Sequence, residues 1–190
     1  MNNDCKVWIA TVGCLLIMST GSAADELVLS IGGGQQLDSD QENKTIGLDY
    51  AFYEFKRSAR QTLTVGVSYT YLETNFGTHE DLYAISVYPQ LTFFPSDDSW
   101  VSRHLPDGAA PYFFVRALGP TYISEKHFGE REQSEHFTFQ AQVGVGVSFA
   151  TLSGRESSLS ISWKHFSNAN LFPDNDGFDF PVVVSFGLRL

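Results

Sequence analysis

A histidine, a serine and a following acid, all near the C-terminus, are the residues of this sequence best placed to do chemistry. His165 and Ser167 are separated by one residue, and an acid, Asp179, follows after a loop. A serine hydroxyl becomes an effective nucleophile when a histidine takes its proton and an acid orients that histidine. Asn168 and Asn175 lie between them and are candidate oxyanion donors or positioning groups. This set is suited to acyl transfer or ester hydrolysis.

The segment that leads into the pair reads as a strand with two different faces. Leu159, Ile161 and Trp163 share one parity, whereas serines and a lysine occupy the other, which is the period of a β-strand. His165 and Ser167 continue the apolar face, roughly 7 Å apart at the backbone and within reach of each other once their side chains lean together. By itself such a pair is more often found as rim residues at a membrane interface. If the apolar face meets lipid, however, acyl chains can reach the pair.

Alternating segments of similar length recur along the chain. We predict eight strands, over residues 26–36, 45–56, 61–72, 81–94, 112–124, 136–150, 157–167 and 178–190. The third, sixth and eighth each place apolar residues on one parity and small or polar residues on the other. An even number of short alternating strands predicts an all-β fold, an eight-stranded antiparallel transmembrane β-barrel with a filled interior. A soluble β-sandwich is the alternative, because it produces similar alternation.

Composition supports an exported membrane barrel. Residues 1–24 have the features of a signal peptide, with Lys6 before an apolar core and Ser22-Ala23-Ala24 at its end, which leaves residues 25–190 as a single barrel domain. After that segment no apolar run is long enough for a transmembrane helix, yet aromatic residues make up 14% of the chain. Cys5 and Cys14 both fall in the segment to be removed, so no disulfide is expected.

The net charge bears on which partners the protein binds, and the strand connectivity bears on how the barrel is oriented in the membrane. A net charge of −10 without a basic stripe argues against binding to nucleic acid. If both termini are periplasmic, the links after the first, third, fifth and seventh strands face outward. His165 and Ser167 then lie near the outer membrane surface, on the outside of the barrel. The inner link at 95–111 is longer than such links usually are.

A longer string around the pair carries a family resemblance. His165-Phe166-Ser167-Asn168-Ala169, followed by Asn175-Asp176-Gly177 and an acid two residues after the glycine, resembles the outer-membrane lipid A 3-O-deacylases of the PagL type. The resemblance implies a serine esterase that removes the acyl chain ester-linked at the 3-position of lipid A in the outer leaflet. Lipopolysaccharide and the outer membrane are its implied partners, and no metal or organic cofactor is implied.

The site residues carry over by position. The resemblance makes Ser167 the nucleophile and His165 the general base and then acid, and it gives Asn168 and Asn175 oxyanion or positioning roles. Asp179 takes the place of the family's glutamate, but simple alternation puts it on the inward face with Ser185. Either a bulge near Pro181 shifts the register, or the loop carries Asp179 over the rim, or another acid, Asp174 or Asp176, serves instead.

Two other functions are compatible with the sequence. One is a non-catalytic small outer-membrane barrel, an anchor, adhesin or stress protein, in which His165 and Ser167 only end a strand. The other is an acyltransferase that moves a chain from a phospholipid to lipid A. The sequence also leaves open whether the barrel forms a homodimer.

Overall fold

Eight long strands close into one antiparallel barrel. The computed structural model describes residues 23–77, 80–96, 98–151 and 153–190, so most of the predicted signal peptide, with Cys5 and Cys14, lies outside the described residues. The barrel strands are β1 (Glu26–Gln35), β2 (Glu42–Ser58), β3 (Gln61–Thr74), β4 (Asp81–Phe93), β5 (Ala110–Ile123), β8 (Phe137–Ala150), β9 (Glu156–Ser167) and β10 (Phe178–Arg189). Each pairs with its neighbours in the order β1-β10-β9-β8-β5-β4-β3-β2. The predicted eight-stranded barrel is confirmed, and its closure excludes the sandwich.

The two faces of the wall differ as alternation predicts. Large apolar side chains stand exposed on the outer face, among them Leu29, Ile31, Leu48, Val87, Val145, Ile161, Val184 and Phe186. Small and polar side chains on the other parity are buried inside, as Thr138, Gln140 and Gln142 are in β8. An apolar outer band around a polar interior is the arrangement that lipid requires of a barrel. Among the residues described, no helix is long and apolar enough to cross a membrane.

The links divide the barrel into two ends. One end, which we call the terminal end because both chain termini lie there, carries the links β2–β3, β4–β5 and β8–β9. The other end, which we call the site end because β9 ends there at Ser167, carries the links β1–β2, β3–β4, β5–β8 and β9–β10. In the long β4–β5 link a single helical turn, α1 (Trp100–Arg103), begins at Ser99, whose Oγ accepts the Ser102 N–H at 3.1 Å. Val101 and Leu105 of this link line an apolar groove of about 760 Å³ against the outer wall.

A buried ion pair organises the middle of the interior. Nη1 of Arg116 lies 2.5 Å from Oδ2 of Asp49, and the guanidinium sits 3.6 Å from the ring centroid of Tyr88. Ser68 donates a further hydrogen bond to Asp49 at 2.6 Å. Lys164 is also fully buried, so the Asp49 carboxylate balances charge in an interior that holds two buried cations. On the terminal side of this layer a cavity of about 500 Å³ opens between Tyr88, Tyr112 and Glu26.

Aromatic side chains fill the site end. The residues of this aromatic plug share an almost complete loss of exposure: Leu72, Leu82, Ala84, Ile123, Phe128, Phe166, Phe178, Phe180 and Val183. Phe128 comes from a small hairpin in the β5–β8 link, formed by β6 (His127–Phe128) and β7 (Arg131–Glu132). Its ring centroid lies 5.2 Å from that of Phe178. The link therefore folds back into the barrel and closes it.

The Asp49 carboxylate is expected to dominate the stability of the interior. Asp49→Ala leaves Arg116 and Lys164 buried without their carboxylate, so we expect the free energy of unfolding to fall by about 3–5 kcal/mol. Urea unfolding in lipid vesicles measures the change. The control is Glu73→Ala, which breaks the exposed Lys44–Glu73 pair at 3.7 Å and should cost less than about 1 kcal/mol. Equal losses in the two variants would contradict the expectation.

Candidate active site

His165 and Asp179 face each other across neighbouring strands. They are direct partners in the β9–β10 register, and Nδ1 of His165 lies 2.9 Å from Oδ1 of Asp179. The histidine side chain is partly exposed and the carboxylate is buried. A carboxylate on Nδ1 fixes the tautomer of an imidazole and leaves Nε2 free to accept a proton. The Asp176 carboxylate instead accepts the Glu132 N–H at 3.2 Å, and among the described residues no hydrogen bond joins the Asp174 carboxylate to His165, so Asp179 is the acid of this pair.

A β-bulge in β10 puts Asp179 on the outer face. Phe180 pairs with Lys164, but the next paired residue is Val183, opposite Ser162, so β10 carries one extra residue at Pro181–Val182. The extra residue reverses the side-chain parity of everything before it. The simple alternation that placed Asp179 with Ser185 on the inward face is therefore wrong, and the bulge near Pro181 is the alternative that the structure contains.

Glycines in β1 make room for this bulge. Gly32 pairs with Val183, and a Cβ added at Gly32 would overlap the carbonyl oxygen of Val182. A side chain at that position would push β1 away from the extra residue of β10. Close backbone approach, one reading of a glycine inside a strand, is thus the role that the contacts give to Gly32.

Ser167 ends β9 on the same outer face as His165. It pairs with Phe139 of β8 and is partly exposed. Within the described part of the chain, no hydrogen bond links its hydroxyl to His165. Hydrogen bonds between catalytic groups are often long in the absence of substrate. Because Nδ1 of His165 is occupied by Asp179, Nε2 is the nitrogen available to Ser167.

The loop after Ser167 is folded around its asparagines. Ala169 and Asn170 both have positive φ, at 54° and 58°, and the Leu171 N–H bonds the Asn168 carbonyl at 3.1 Å, a type I′ turn. Asn168 is fully buried and donates from Nδ2 to the Asp174 carbonyl at 2.7 Å. Its own N–H bonds Oδ1 of Asn175 at 2.7 Å. These contacts fit a positioning role for Asn168.

The side-chain amide of Asn175 uses one of its two hydrogens in the hydrogen bonds of the loop. One hydrogen of its Nδ2 goes to Oδ1 of Asn170 at 2.9 Å, which leaves the second hydrogen of that amide. Asn175 is partly exposed, unlike Asn168. Of the two asparagines it is therefore the better suited to donate to an oxyanion.

The hairpin β6–β7 holds this loop in place. Gln133 donates from Nε2 to the Asp176 carbonyl at 2.7 Å, and the Asp176 N–H bonds the Glu132 carbonyl at 3.0 Å. The Ser134 N–H bonds the Asp174 carbonyl at 3.2 Å. The backbone of Asp174 and Asp176 thus ties the loop to the hairpin segment.

Two neighbours of Asp179 were not anticipated from the sequence. Gln36, in the β1–β2 link, donates to Oδ2 of Asp179 at 2.7 Å, and Trp163 donates to Oδ1 at 3.1 Å. The parity of Trp163 with His165 is a signal that could have revealed it. Gln36 carries no such signal. Within the described ranges, no group of three or more His, Cys, Asp or Glu residues is arranged to hold a metal ion.

One family model matches the C-terminal half of the barrel. Residues 100–189, which contain His165, Ser167 and Asp179, match the family model described as lipid A 3-O-deacylase (PagL). The predicted resemblance to the PagL family is thereby confirmed.

Solved structures support the fold. The crystal structure of the outer membrane enzyme PagL is 18% identical, with 87% of this chain and 99% of that chain covered at a TM-score of 0.60. Neisserial surface protein A is 12% identical, with coverage of 90% and 100% at a TM-score of 0.50. No curated protein matches the chain. At these identities the structures share the barrel fold, and the PagL match and this fold together imply an outer-membrane protein of a Gram-negative bacterium.

An ion pair links the β1–β2 link to the hairpin. Both Nη atoms of Arg131 donate to the carboxylate of Asp38, one of them at 3.1 Å. The Arg131 guanidinium holds the pKa of Asp38 below its usual value. Because the folded pKa is lower than the unfolded pKa of about 3.9, the stabilisation is complete above the unfolded value. It is lost as the pH falls through the folded value.

This ion pair predicts a pH dependence at the site end. The difference in Tm between wild type and Asp38→Asn should be constant above about pH 5 and should shrink below about pH 4. Thermal unfolding in detergent over that range measures it. Repeating the series in about 1 M salt should reduce the difference, since the Asp38 carboxylate is exposed to solvent and its charge is screened. A difference that grows on acidification would contradict this account.

Proposed function

We propose that this chain is a serine esterase that hydrolyses the 3-O-linked acyl chain of lipid A. The observation that carries the proposal is the 2.9 Å contact between His165 and Asp179 beside Ser167 on the apolar outer face. The match to the lipid A 3-O-deacylase family over this segment supports the substrate. A non-catalytic barrel would have no need of a buried carboxylate aimed at an outward-facing histidine.

In the proposed reaction Ser167, His165 and Asp179 each have a separate role. Nε2 of His165 takes the proton from Ser167 as Oγ attacks the ester carbonyl carbon, and Asp179 stabilises the imidazolium that forms. The tetrahedral intermediate collapses, the bond to the sugar oxygen breaks, and His165 returns the proton to that oxygen. A water molecule, deprotonated by the same nitrogen, then cleaves the acyl-serine. The products are a free fatty acid and a lipid A with a free 3-hydroxyl group.

The oxyanion needs donors on the outer side of Ser167. The unused Nδ2 hydrogen of Asn175 is the side-chain donor that fits this role, in a loop held rigid by the hairpin β6–β7. Asn168 fixes the turn that brings this loop beside Ser167. A preorganised donor of this kind commonly contributes roughly 10²- to 10³-fold to kcat.

The location of the pair suits a lipid substrate in the outer leaflet. His165 and Ser167 lie at the site end, on the apolar outer face, and the links of the terminal end are opposite them. With the chain termini in the periplasm, the site end lies at the cell surface, where lipid A is the acylated lipid. The ester would then approach from within the membrane, along the outer wall, and not through the lumen.

Replacement of the nucleophile tests the proposal. Cells that express wild type should contain lipid A that lacks one hydroxyacyl mass, whereas cells that express Ser167→Ala should retain it, because no oxygen remains to attack the ester. Mass spectrometry of extracted lipid A measures this, with heat-modifiable gel mobility as the check of folding. Ser160→Ala is the matched control, the same change on the inner face of the same strand, and should behave as wild type. Intact lipid A in both wild type and Ser167→Ala, with both barrels folded, would favour the non-catalytic barrel.

Gly177 offers an independent test of the histidine position. A Cβ added at Gly177 would overlap Cε1 of His165, so the ring would have to move away. A displacement of about 1 Å of a catalytic group can lower the reaction rate by about 10²-fold. We therefore expect Gly177→Ala to lower kcat by about 10²-fold while the barrel still folds. The rate of fatty-acid release from purified lipid A measures this. Gly108→Ala is the control for backbone strain away from the site: its φ of 82° strains an alanine, but the added atom meets nothing within 4 Å, so the activity should be kept. An unchanged rate in Gly177→Ala would argue against a catalytic His165.

A further inference from the structure

The Asp179 carboxylate accepts two hydrogen bonds besides the one from His165. Oδ1 accepts both Nδ1 of His165, at 2.9 Å, and Nε1 of Trp163, at 3.1 Å. Oδ2 accepts Nε2 of Gln36 at 2.7 Å. The two additional donors are neutral, so they orient the carboxylate without cancelling the charge that His165 needs.

Gln36 contacts Asp179 through both atoms of its amide. While its Nε2 donates to the carboxylate, its Oε1 accepts the backbone N–H of Asp179 at 2.9 Å. The side chain of Gln36 is almost completely buried. A ring of two hydrogen bonds between one amide and one residue fixes the torsion angles of that residue. Asp179 therefore presents its carboxylate in one orientation.

Further buried amides hold Gln36 itself. Nδ2 of Asn43 donates to Oε1 of Gln36 at 2.9 Å and to the carbonyl of Asp179 at 3.0 Å. Nε2 of Gln41 donates to Oδ1 of Asn43 at 2.7 Å. Burying three amides carries a desolvation cost that apolar side chains would avoid. The arrangement makes sense where a fixed polar partner is needed, and that partner is Asp179.

Trp163 contacts both members of the acid–base pair. Its indole ring stacks on the imidazole of His165, with centroids 5.2 Å apart and planes 21° apart, while its Nε1 reaches Asp179. The stacking limits rotation of the imidazole about its bonds. The hydrogen bond limits rotation of the carboxylate that the imidazole must meet.

We propose that Gln36 and Trp163 are positioning residues for the His165–Asp179 pair, holding Oδ1 of Asp179 against Nδ1 of His165 during proton transfer. The inference rests on the proposed esterase function. Neither residue receives the substrate ester in this account, so their loss should lower kcat and leave KM nearly unchanged. It also explains how an aspartate, shorter than the glutamate of the family resemblance, is kept on the histidine.

A double-mutant cycle separates positioning from a merely structural role. Gln36→Ala should lower kcat by about 10- to 100-fold in the wild-type background, the effect of one lost hydrogen bond to a charged group. In the Asp179→Ala background the same change should alter kcat by less than about twofold, because the group it acts through is gone. Equal factors in both backgrounds would overturn the proposal, as would a wild-type rate in Gln36→Ala.

Two more variants sharpen the cycle. Trp163→Phe keeps an aromatic ring against His165 but removes the N–H, so it should also lose kcat only when Asp179 is present. Gln35→Ala removes the neighbouring exposed amide, which bonds the Ser39 carbonyl at 3.2 Å, and should leave the rate unchanged. Fatty-acid release from purified lipid A in mixed micelles supplies kcat and KM for each variant.

Nitrogen-15 histidine NMR of the folded barrel gives a readout that does not depend on turnover. The Nδ1 proton signal of His165, assigned with a His165→Ala sample, should be lost in Asp179→Ala and should shift or exchange faster in Gln36→Ala. An unchanged signal in Gln36→Ala and Trp163→Phe would overturn the proposal. If the wild-type protein leaves lipid A intact, the esterase function fails instead, and the NMR result still decides whether Gln36 holds the pair.

Discussion

The site depends on one extra residue in β10. Without the bulge at Pro181–Val182, strict alternation would turn Asp179 toward the lumen, and His165 would face the membrane with no carboxylate beside it. The glycine at position 32 allows the bulge, since any larger residue would meet the backbone of β10. The contact between His165 and Asp179 thus depends on one extra residue in β10, which Gly32 of β1 accommodates.

The rest of the barrel makes that defect rigid. The aromatic plug packs against the inner face of β9 and β10 immediately behind His165 and Asp179, and Phe166 and Phe180 belong to it. Gln36 of the β1–β2 link and Trp163 of the outer face take up the remaining positions around the carboxylate. At the rim, the hairpin β6–β7 secures the loop that carries Asn175. Each layer is ordinary packing or hydrogen bonding, and together they preorganise an exposed site on a membrane-facing surface.

Much of this could be predicted from the sequence because a membrane barrel repeats one rule. Alternation located all eight barrel strands and the faces of several of them, and the parity of Leu159, Ile161 and Trp163 correctly put His165 and Ser167 outside. The position of the bulge was not predictable in the same way. From Phe178 to Val184 the residues on both parities are mostly apolar, because the inward-facing ones pack in the plug. In this segment alternation therefore does not indicate which side chains point inward.

Contacts between residues far apart in the chain could not be predicted from local sequence patterns. Gln36 and Asp179 are 143 residues apart, and an amide beside a turn is a common feature with no particular meaning until closure of the barrel brings β1 beside β10. The charged sequence of the hairpin β6–β7 is typical of a solvated loop, and its pairs are too few to form an alternating pattern. Its structure comes from the burial of Phe128, a tertiary contact.

The aromatic plug also determines what this barrel does to the membrane that contains it. The cavity on the terminal side reaches inward only to the layer of Arg116 and Tyr88, and beyond the buried polar layer the plug leaves hydrocarbon and aromatic rings across the lumen. Water and ions that enter from one side meet a dead end. The described barrel is therefore not an open pore, unlike larger barrels whose lumen is a water-filled channel.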